Sequence, residues 1–293
     1  MTQIHFIVNP ISGNGKHRLS EAFLEDFFDV NHYTLKVKFS NHRGHAITLT
    51  KASIADGANI IVACGGDGTI NEVASTLVGK NIPLGIIPVG SGNGLASNLN
   101  IPQDINKAIN IILKNAQTWI DVGCLNNQYF FSNMGFGFDG NVIKNYEASE
   151  HRTLYCYLKA SIKSFRNYNK KETISVKIND KDVLINPFLI FISNSNEMGY
   201  NVSLTPKASL QDGLLDVVIV PQISKAKMLL FCLSMLFRKP DFFKESSCFQ
   251  TKSFKIKRIE GDCFETQIDG EFLKIETVSV AISVKSKALV VIA

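Results

Sequence analysis

The stretch from Ala63 to Ser75, "ACGGDGTINEVAS", decides how the rest of the chain is read. An apolar run, "NIIVAC" at 59–64, feeds three glycines and one aspartate, and a helical pattern follows from Ile70. Glycine lets backbone N–H groups approach an anion, and a helix N-terminus adds a favourable dipole, so a loop of this kind behind a strand suits phosphate. The aspartate does not. A carboxylate repels phosphate unless a cation lies between them, so Asp67 in such a loop implies Mg²⁺, held partly through water. The competing explanation is an Asp-Gly tight turn and nothing more. A second glycine-rich loop, "VGSGNG" at 89–94, follows the strand-like "PLGIIP" at 83–88 and tips the balance towards phosphate.

Outward from these loops the first part of the chain alternates between strand and helix patterns. Strands are expected at 4–9, 33–39, 59–64 and 83–88, and helices at 19–28, 45–56, from Ile70 and at 104–115. That is the βαβ rhythm of a parallel sheet, whose ligands bind where loops leave the carboxyl ends of strands. Near residue 125 the architecture changes. Strand-like runs then dominate ("QYFFSN", "TISVKIN", "VLINPFLIFISN", "LLDVVIV", "SFKIKRI", "FETQID", "TVSVAISV"), with helical patterns only at 152–168 and 225–237. No repeat, low-complexity segment or linker separates the parts.

With 293 residues, 45% apolar and 19% charged, the chain can bury substantial cores and is neither disordered nor fibrous. No apolar window approaches the roughly 18 residues of a spanning helix, and "MTQIHFIVNP" does not read as a signal peptide, so a cytoplasmic protein is expected. The six cysteines are scattered without metal spacing and read as buried free thiols. Residues 1–125 hold 9 basic and 9 acidic side chains, residues 126–293 hold 22 and 17, and the net charge is +5. Much of the excess clusters at Lys144, Arg152, Lys159, Lys163, Arg166, Lys170 and Lys171. Such a cluster meets nucleic acid, an anionic membrane or only water.

Neither glycine loop is a Walker P-loop, because "GNGKH" lacks the upstream glycine and the Ser/Thr, and "GSGNGLA" is a poor dinucleotide fingerprint. Five motifs in order, "NPISGNGK" (9–16), "GGDGTINEV" (65–73), "PLGIIPVGSGNGLA" (83–96), "DGLLDV" (212–217) and "IDGE" (268–271), resemble those of the diacylglycerol kinase catalytic domain family, which includes bacterial lipid kinases and sphingosine kinases. "GGDGT" alone is shared with NAD kinases and phosphofructokinases. Its continuation into "INEV" narrows the match.

The resemblance implies an α/β plus β fold: a Rossmann-like nucleotide-binding domain, a C-terminal β-sandwich domain, and an active site in the cleft between them. Residues 1–125 would bind ATP, residues 126–284 would take the lipid, and a final strand at 285–293 would return to the first domain. The implied activity is transfer of the γ-phosphate of ATP to a lipid hydroxyl, diacylglycerol-like or sphingoid, with Mg²⁺. A soluble NAD kinase and a catalytically silent lipid-binding protein of the same fold are the alternatives. Carried over by motif, Asn9, Pro10, Ile11, Ser12, Gly13, Ser40, Gly66, Asp67, Gly68, Thr69, Ile70, Asn71, Glu72 and Ser91 would line ATP. Lys16 either reaches a phosphate or solvates a helix start. Glu271 is the implied general base, with Asp67 and Asp269 organising Mg²⁺, although sphingosine kinases give the base role to the aspartate matching Asp67. A second Mg²⁺ is implied on the Asp212 carboxylate and the main-chain carbonyls of Ser209 and Leu214. "GSGNGLA" lies nearer the sphingosine kinase form than the "GTxNDFA" of many bacterial enzymes, which leaves the lipid open.

Expected partners are therefore a lipid at an anionic membrane surface, reached peripherally, and no nucleic acid; a homodimer is left open. Helices at 154–165 and 225–239 are amphipathic or apolar with basic flanks, a pattern shared by interfacial helices and core helices.

Overall fold

The structure, a computed structural model, describes residues 1–13, 15, 19–90, 92–149, 154–168, 173–178, 181–196, 203–236 and 243–293. The chain divides into two compact units: Met1–Ile120 with Lys287–Ala293, and Asp121–Ser286.

The first unit carries β1 (Thr2–Val8), α1 (Glu21–Glu25), β2 (Tyr33–Phe39), α2 (His45–Ala55), β3 (Ile60–Gly65), α3 (Asp67–Leu77), β4 (Leu84–Pro88), α4 (Gly94–Asn98), α5 (Ile105–Lys114) and the start of β5 (Gln117–Leu125). Its strands run parallel in the order β2-β1-β3-β4. β3 and β4 are buried along their whole length, as continuous apolar runs in a sheet covered on both faces should be. Because β2 and β3 lie on opposite sides of β1, the loops after β1 and β3 flank the crevice at which the strand order reverses.

The second unit adds β6 (Gln128–Phe130), β7 (Asn133–Gly137), α6 (Phe138–Glu147), α7 (Leu154–Asn167), β8 (Ile174–Ile178), β9 (Lys181–Ile185), β10 (Pro187–Ser193), β11 (Leu215–Pro221), α8 (Lys225–Leu236), β12 (Ser247–Thr251), β13 (Ser253–Arg258), β14 (Phe264–Ile268), β15 (Glu271–Ile275) and β16 (Ser279–Ile292). One sheet, in the order β12-β11-β10-β7-β14-β15, is antiparallel throughout. In this unit β16, β13, β8 and β9 pair antiparallel as a second layer. Alternate residues of both layers, among them Met134, Phe136, Ile190, Ile192, Val217, Ile256 and Ile282, form one core cluster, which makes this unit a β-sandwich. The final residues of β16 lie in the first unit, where Val291 pairs with Leu84 of β4.

Four local expectations change. The helix placed from Ile70 begins at Asp67, its first turn hidden by glycine's low helix propensity. The run "VLINPFLIFISN" splits into β9 and β10 before Pro187, which has no N–H for a ladder. α6 lies in "GFDGNVIKNYE", where no element was expected because glycines flank its aspartate. Of the cysteines expected to be buried, Cys64 and Cys124 are buried, Cys156 and Cys263 are half-buried and Cys248 is exposed, while the side chain of Cys232 lies outside the described residues.

Candidate active site

The loops behind β1, β3 and β4 meet backbone to backbone. The Asn9 N–H donates to the Cys64 carbonyl at 2.9 Å, and the Asn9 side chain donates to Thr69 Oγ1 at 3.2 Å. A Cβ on Gly13 would lie 2.3 Å from the Val89 carbonyl oxygen, and one on Gly90 would lie 2.4 Å from the Gly66 Cα. Side chains at these points would force the loops apart, so glycine is required by close approach.

Asp67 closes this arrangement. Its Oδ2 accepts the Asn93 N–H at 2.8 Å and its Oδ1 accepts the Gly94 N–H at 2.6 Å. A carboxylate of the first glycine loop thus caps α4, which has no side-chain cap of its own, and holds the second loop beside it. Glu72, one turn further along α3, does the same for another helix: Oε1 and Oε2 accept the N–H groups of Gly44 and Ala46 at the start of α2. The two acids of "GGDGTINE" are tertiary caps for the elements that surround α3. Partners 26 to 28 residues away in sequence carry no local signal.

The other implied nucleotide residues fall as follows. Ile11 is exposed, Ser12 is half-buried, and Pro10 and Gly13 lie in the same loop. Ser40 is buried at the end of β2, where its N–H donates to the Val8 carbonyl. Ile70 is 2% exposed and packs into the core, so only its backbone is available to a ligand. Gly68 and Thr69 are in the first turn of α3, and Asn71 Oδ1 accepts from Ser75. Ser91 and Lys16 lie outside the described residues. A phosphate group fits this locus: α3 leaves the carboxyl end of a parallel strand and its start has no side-chain cap. Among the described residues no three His, Cys, Asp or Glu side chains converge on a metal position.

In the second unit, Asp269 and Gly270 form the turn between β14 and β15, with φ of 47° and 82°. Two positive φ values closed by the Ile268–Glu271 pair are those of a type I′ hairpin, for which Asp-Gly is the favoured sequence. The Asp269 carboxylate accepts three backbone N–H groups, from Phe131, Ser132 and Asn133, and so anchors the turn to the β6–β7 loop. Glu271 is half-buried at the first position of β15.

The Asp212 carboxylate accepts its own Leu214 N–H at 2.9 Å, and Gln250 Nε2 lies 3.4 Å from Asp212 Oδ2 and 3.2 Å from Asp216 Oδ2. Burial pushes the Asp216 carboxyl up, the Gln250 amide draws it down, and the Asp212 charge adds to the upward push. The two carboxylates thus share one amide donor. Ser209 Oγ accepts from Gln211 N–H in the same turn.

One group escaped the sequence pattern. Asp139, in the first turn of α6, is 7% exposed, and burial pushes its carboxyl from 3.8 up to about 6, against the pull of a 2.7 Å hydrogen bond from Gln267 Nε2. "MGFGFDGN" repeats the grammar of "CGGDGTIN", glycines around an aspartate at a strand-to-helix junction, and that likeness was the available signal.

A parallel α/β unit with glycine loops at its strand ends and a β-sandwich carrying an Asp-Gly-Glu hairpin make up the two parts of the chain. The diacylglycerol kinase catalytic domain pattern matches residues 3–125, and the YegS C-terminal NAD kinase β-sandwich-like domain pattern matches residues 132–293. The chain belongs to the diacylglycerol kinase catalytic domain family, a family of phosphotransferases with an alcohol acceptor. It is 27% identical over 277 residues to the diacylglycerol kinase of Bacillus subtilis, covering 93% of this chain and 90% of that one. With the diacylglycerol kinase of Staphylococcus saprophyticus it shares 31% identity over 189 residues, 63% of this chain and 62% of the relative. A diacylglycerol kinase structure from Bacillus anthracis superposes with a TM-score of 0.77 at 20% identity, covering 99% of this chain and 96% of that one. An NAD kinase from Archaeoglobus fulgidus in complex with ATP gives 0.52 at 11% identity, over 100% of this chain and 94% of that one, a likeness of fold.

Proposed function

We propose that this chain is an ATP-dependent lipid kinase that phosphorylates a hydroxyl near the headgroup of a diacylglycerol-like or sphingoid lipid. The carrying observation is the Asp67 clamp, which sets two glycine loops side by side at strand ends next to the uncapped start of α3. Asn9 to Gly13, Ser40 and the backbone of Gly66 to Ile70 hold the nucleotide, while Asp67 and Glu72 keep the surrounding helices in place. Mg²⁺-ATP supplies the γ-phosphoryl group and the charge neutralisation its transfer needs. Glu271 takes the proton of the acceptor hydroxyl. The engagement of both Asp67 oxygens with backbone N–H groups favours Glu271 over Asp67 in that role. Asp212, with the carbonyls of Ser209 and Leu214, holds a structural Mg²⁺.

The lipid lies in an anionic membrane surface, which α7 and α8 approach. Each helix is apolar on two sides. Phe165 of α7 and Met228 and Phe231 of α8 share one core cluster, whereas Tyr155, Leu158, Ile162, Leu229 and Leu230 are exposed beside Lys159, Lys163 and Arg166. Lys225 Nζ donates to the Arg166 carbonyl and joins the end of α7 to the start of α8. No helix among the described residues is long and apolar enough to span a bilayer.

The test is ATP turnover on a lipid panel in mixed micelles, with NAD as a soluble control. Turnover on a lipid hydroxyl supports the reading, and turnover on NAD alone overturns it. Glu271→Gln should lower kcat by about a hundredfold or more with little change in KM for ATP. If Glu271→Gln stays active while Asp67→Asn does not, Asp67 is the base. Changing Lys159, Lys163 and Arg166 to Gln should weaken binding to anionic vesicles and spare turnover of a short-chain soluble acceptor; parental vesicle binding would make the cluster a solvated face.

A further inference from the structure

Helix α6 reaches the Glu271 hairpin at two points, on either side of Glu271. At its N-terminal end Asp139 Oδ2 accepts from Gln267 Nε2 at 2.7 Å, the same Nε2 donates to Asn133 Oδ1 at 2.9 Å, and Gln267 Oε1 accepts the Gly270 N–H at 2.9 Å. Both amide hydrogens and the amide oxygen of Gln267 are engaged, so its orientation is fixed: flipped, its carbonyl would face a carboxyl and its NH2 would face the Gly270 N–H. At the C-terminal end of α6, Glu147 Oε1 accepts the Phe272 N–H at 2.9 Å. The ties therefore fall on the residue before Glu271 and the residue after it.

Hairpin stability does not require this. The Asp-Gly turn has the φ values of its type and closes on its own strand pair, and Asp269 already anchors it to the β6–β7 loop. Burying the Asp139 carboxyl costs desolvation, which the hydrogen bond from the equally buried Gln267 amide offsets, so the two side chains are held as a pair. The packing is also arranged around it. A Cβ on Gly135 would sit 2.1 Å from Asp139 Oδ2, and one on Gly140 would sit 3.2 Å from the Glu265 carbonyl oxygen, so glycines let both the carboxyl and the helix lie close to the sheet. A buried polar network with its donors fully used fixes position to fractions of an ångström, which a proton-accepting carboxylate needs.

We infer that Asp139 and Glu147 are positioning residues for Glu271, acting from the two ends of α6 through the Gly270 and Phe272 N–H groups. The inference rests on the reading of Glu271 as the base. Asp139→Leu, which strands the Gln267 amide, and Glu147→Ala, an outer substitution that leaves the core intact, are each expected to lower kcat on the lipid acceptor by about tenfold, with KM for ATP unchanged. Asp139→Asn, which keeps an acceptor for Gln267, should recover most of that loss. In a Glu271→Gln background neither substitution should lower kcat further, because residues that act as a unit are non-additive. Amide hydrogen exchange should rise at Gly270 to Phe272 in both variants, a readout independent of chemistry. Unchanged exchange in Glu147→Ala and Asp139→Leu overturns the inference, as does an equal kcat loss in the parent and Glu271→Gln backgrounds. Faster exchange with a fully active Glu271→Gln enzyme overturns the base assignment instead, and leaves α6 as the element that places the turn.

Discussion

The β3–α3 and β7–α6 junctions are built from the same words and do different work. Each puts glycines around an aspartate in the first turn of a helix leaving a strand. Asp67 is half-buried and accepts two backbone N–H groups from another loop. Asp139 is buried and accepts one side-chain N–H, from Gln267. The first carboxylate is matched by main-chain donors and ties two glycine loops together. The second is desolvated, and its partner passes the constraint on to a hairpin. A glycine-aspartate-glycine junction therefore specifies a close approach of backbone; the donor found across the gap decides what the carboxylate does.

The largest expected effect lies at the first junction. Asp67→Ala removes both caps of α4 and should cut lipid kinase turnover by about a hundredfold or more, since loss of electrostatic positioning has that size. Turnover within a few-fold of the parent would break the comparison, by making Asp67 a turn residue only.

Glycine substitutions sharpen it at the level of stability. In Gly90→Ala the new methyl meets the Gly66 Cα at 2.4 Å, and in Gly135→Ala it meets Asp139 Oδ2 at 2.1 Å. Each should cost about 1–3 kcal/mol in denaturant titrations, as over-packing does. Adding Asp139→Ala should relieve Gly135→Ala, whereas truncating Asn93, whose Oδ1 would lie 2.8 Å from the new methyl, should leave the closer backbone clash of Gly90→Ala in place.

A smaller effect separates the units by pH. The buried Asp139 carboxyl, raised to about 6 from 3.8, binds more protons when folded, so stability from this group falls as pH rises from about 4 to 6 and is flat above. His5, fully buried on β1 with neither ring nitrogen hydrogen-bonded, is lowered to about 4 from 6.5, chiefly by burial and then by Lys38 and Lys36. There the unfolded chain binds more protons, so stability falls as pH drops from 6.5 towards 4. His5→Leu should flatten the acid loss reported by Trp119, the one tryptophan and a residue of the first unit. Asp139→Asn should flatten the opposite slope, followed by hydrogen exchange in β7 and β14. Slopes unchanged by either substitution would contradict these assignments.

Much of this architecture is legible from periodicity. The parallel alternation through residue 115 follows apolar runs and helical spacing, and most sandwich strands show themselves as β-branched or aromatic runs. α6 was not legible, because "GFGFDG" has the composition of a turn, and only the sheet beneath it shows that the glycines serve close packing. β5 was missed because Asp121 and Gly123 interrupt its apolar pattern, although Asp121 is buried and accepts the Gly213 N–H. Asp67 was conspicuous, yet its charge pointed to a cation, because loop N–H donors 26 and 27 residues downstream leave no trace in local sequence.

The central claim, that Asp67 works by holding the second glycine loop, is tested most directly by amide hydrogen exchange at Asn93 and Gly94 in the parent and in Asp67→Ala, without nucleotide or Mg²⁺. With no metal or phosphate present, a role confined to binding them cannot register. The clamp predicts exchange at both amides faster by about tenfold or more in the variant, the equivalent of losing roughly 1.4 kcal/mol of protection. Equal protection in the two proteins would contradict it, and would return Asp67 to a role that begins only when the ligand arrives.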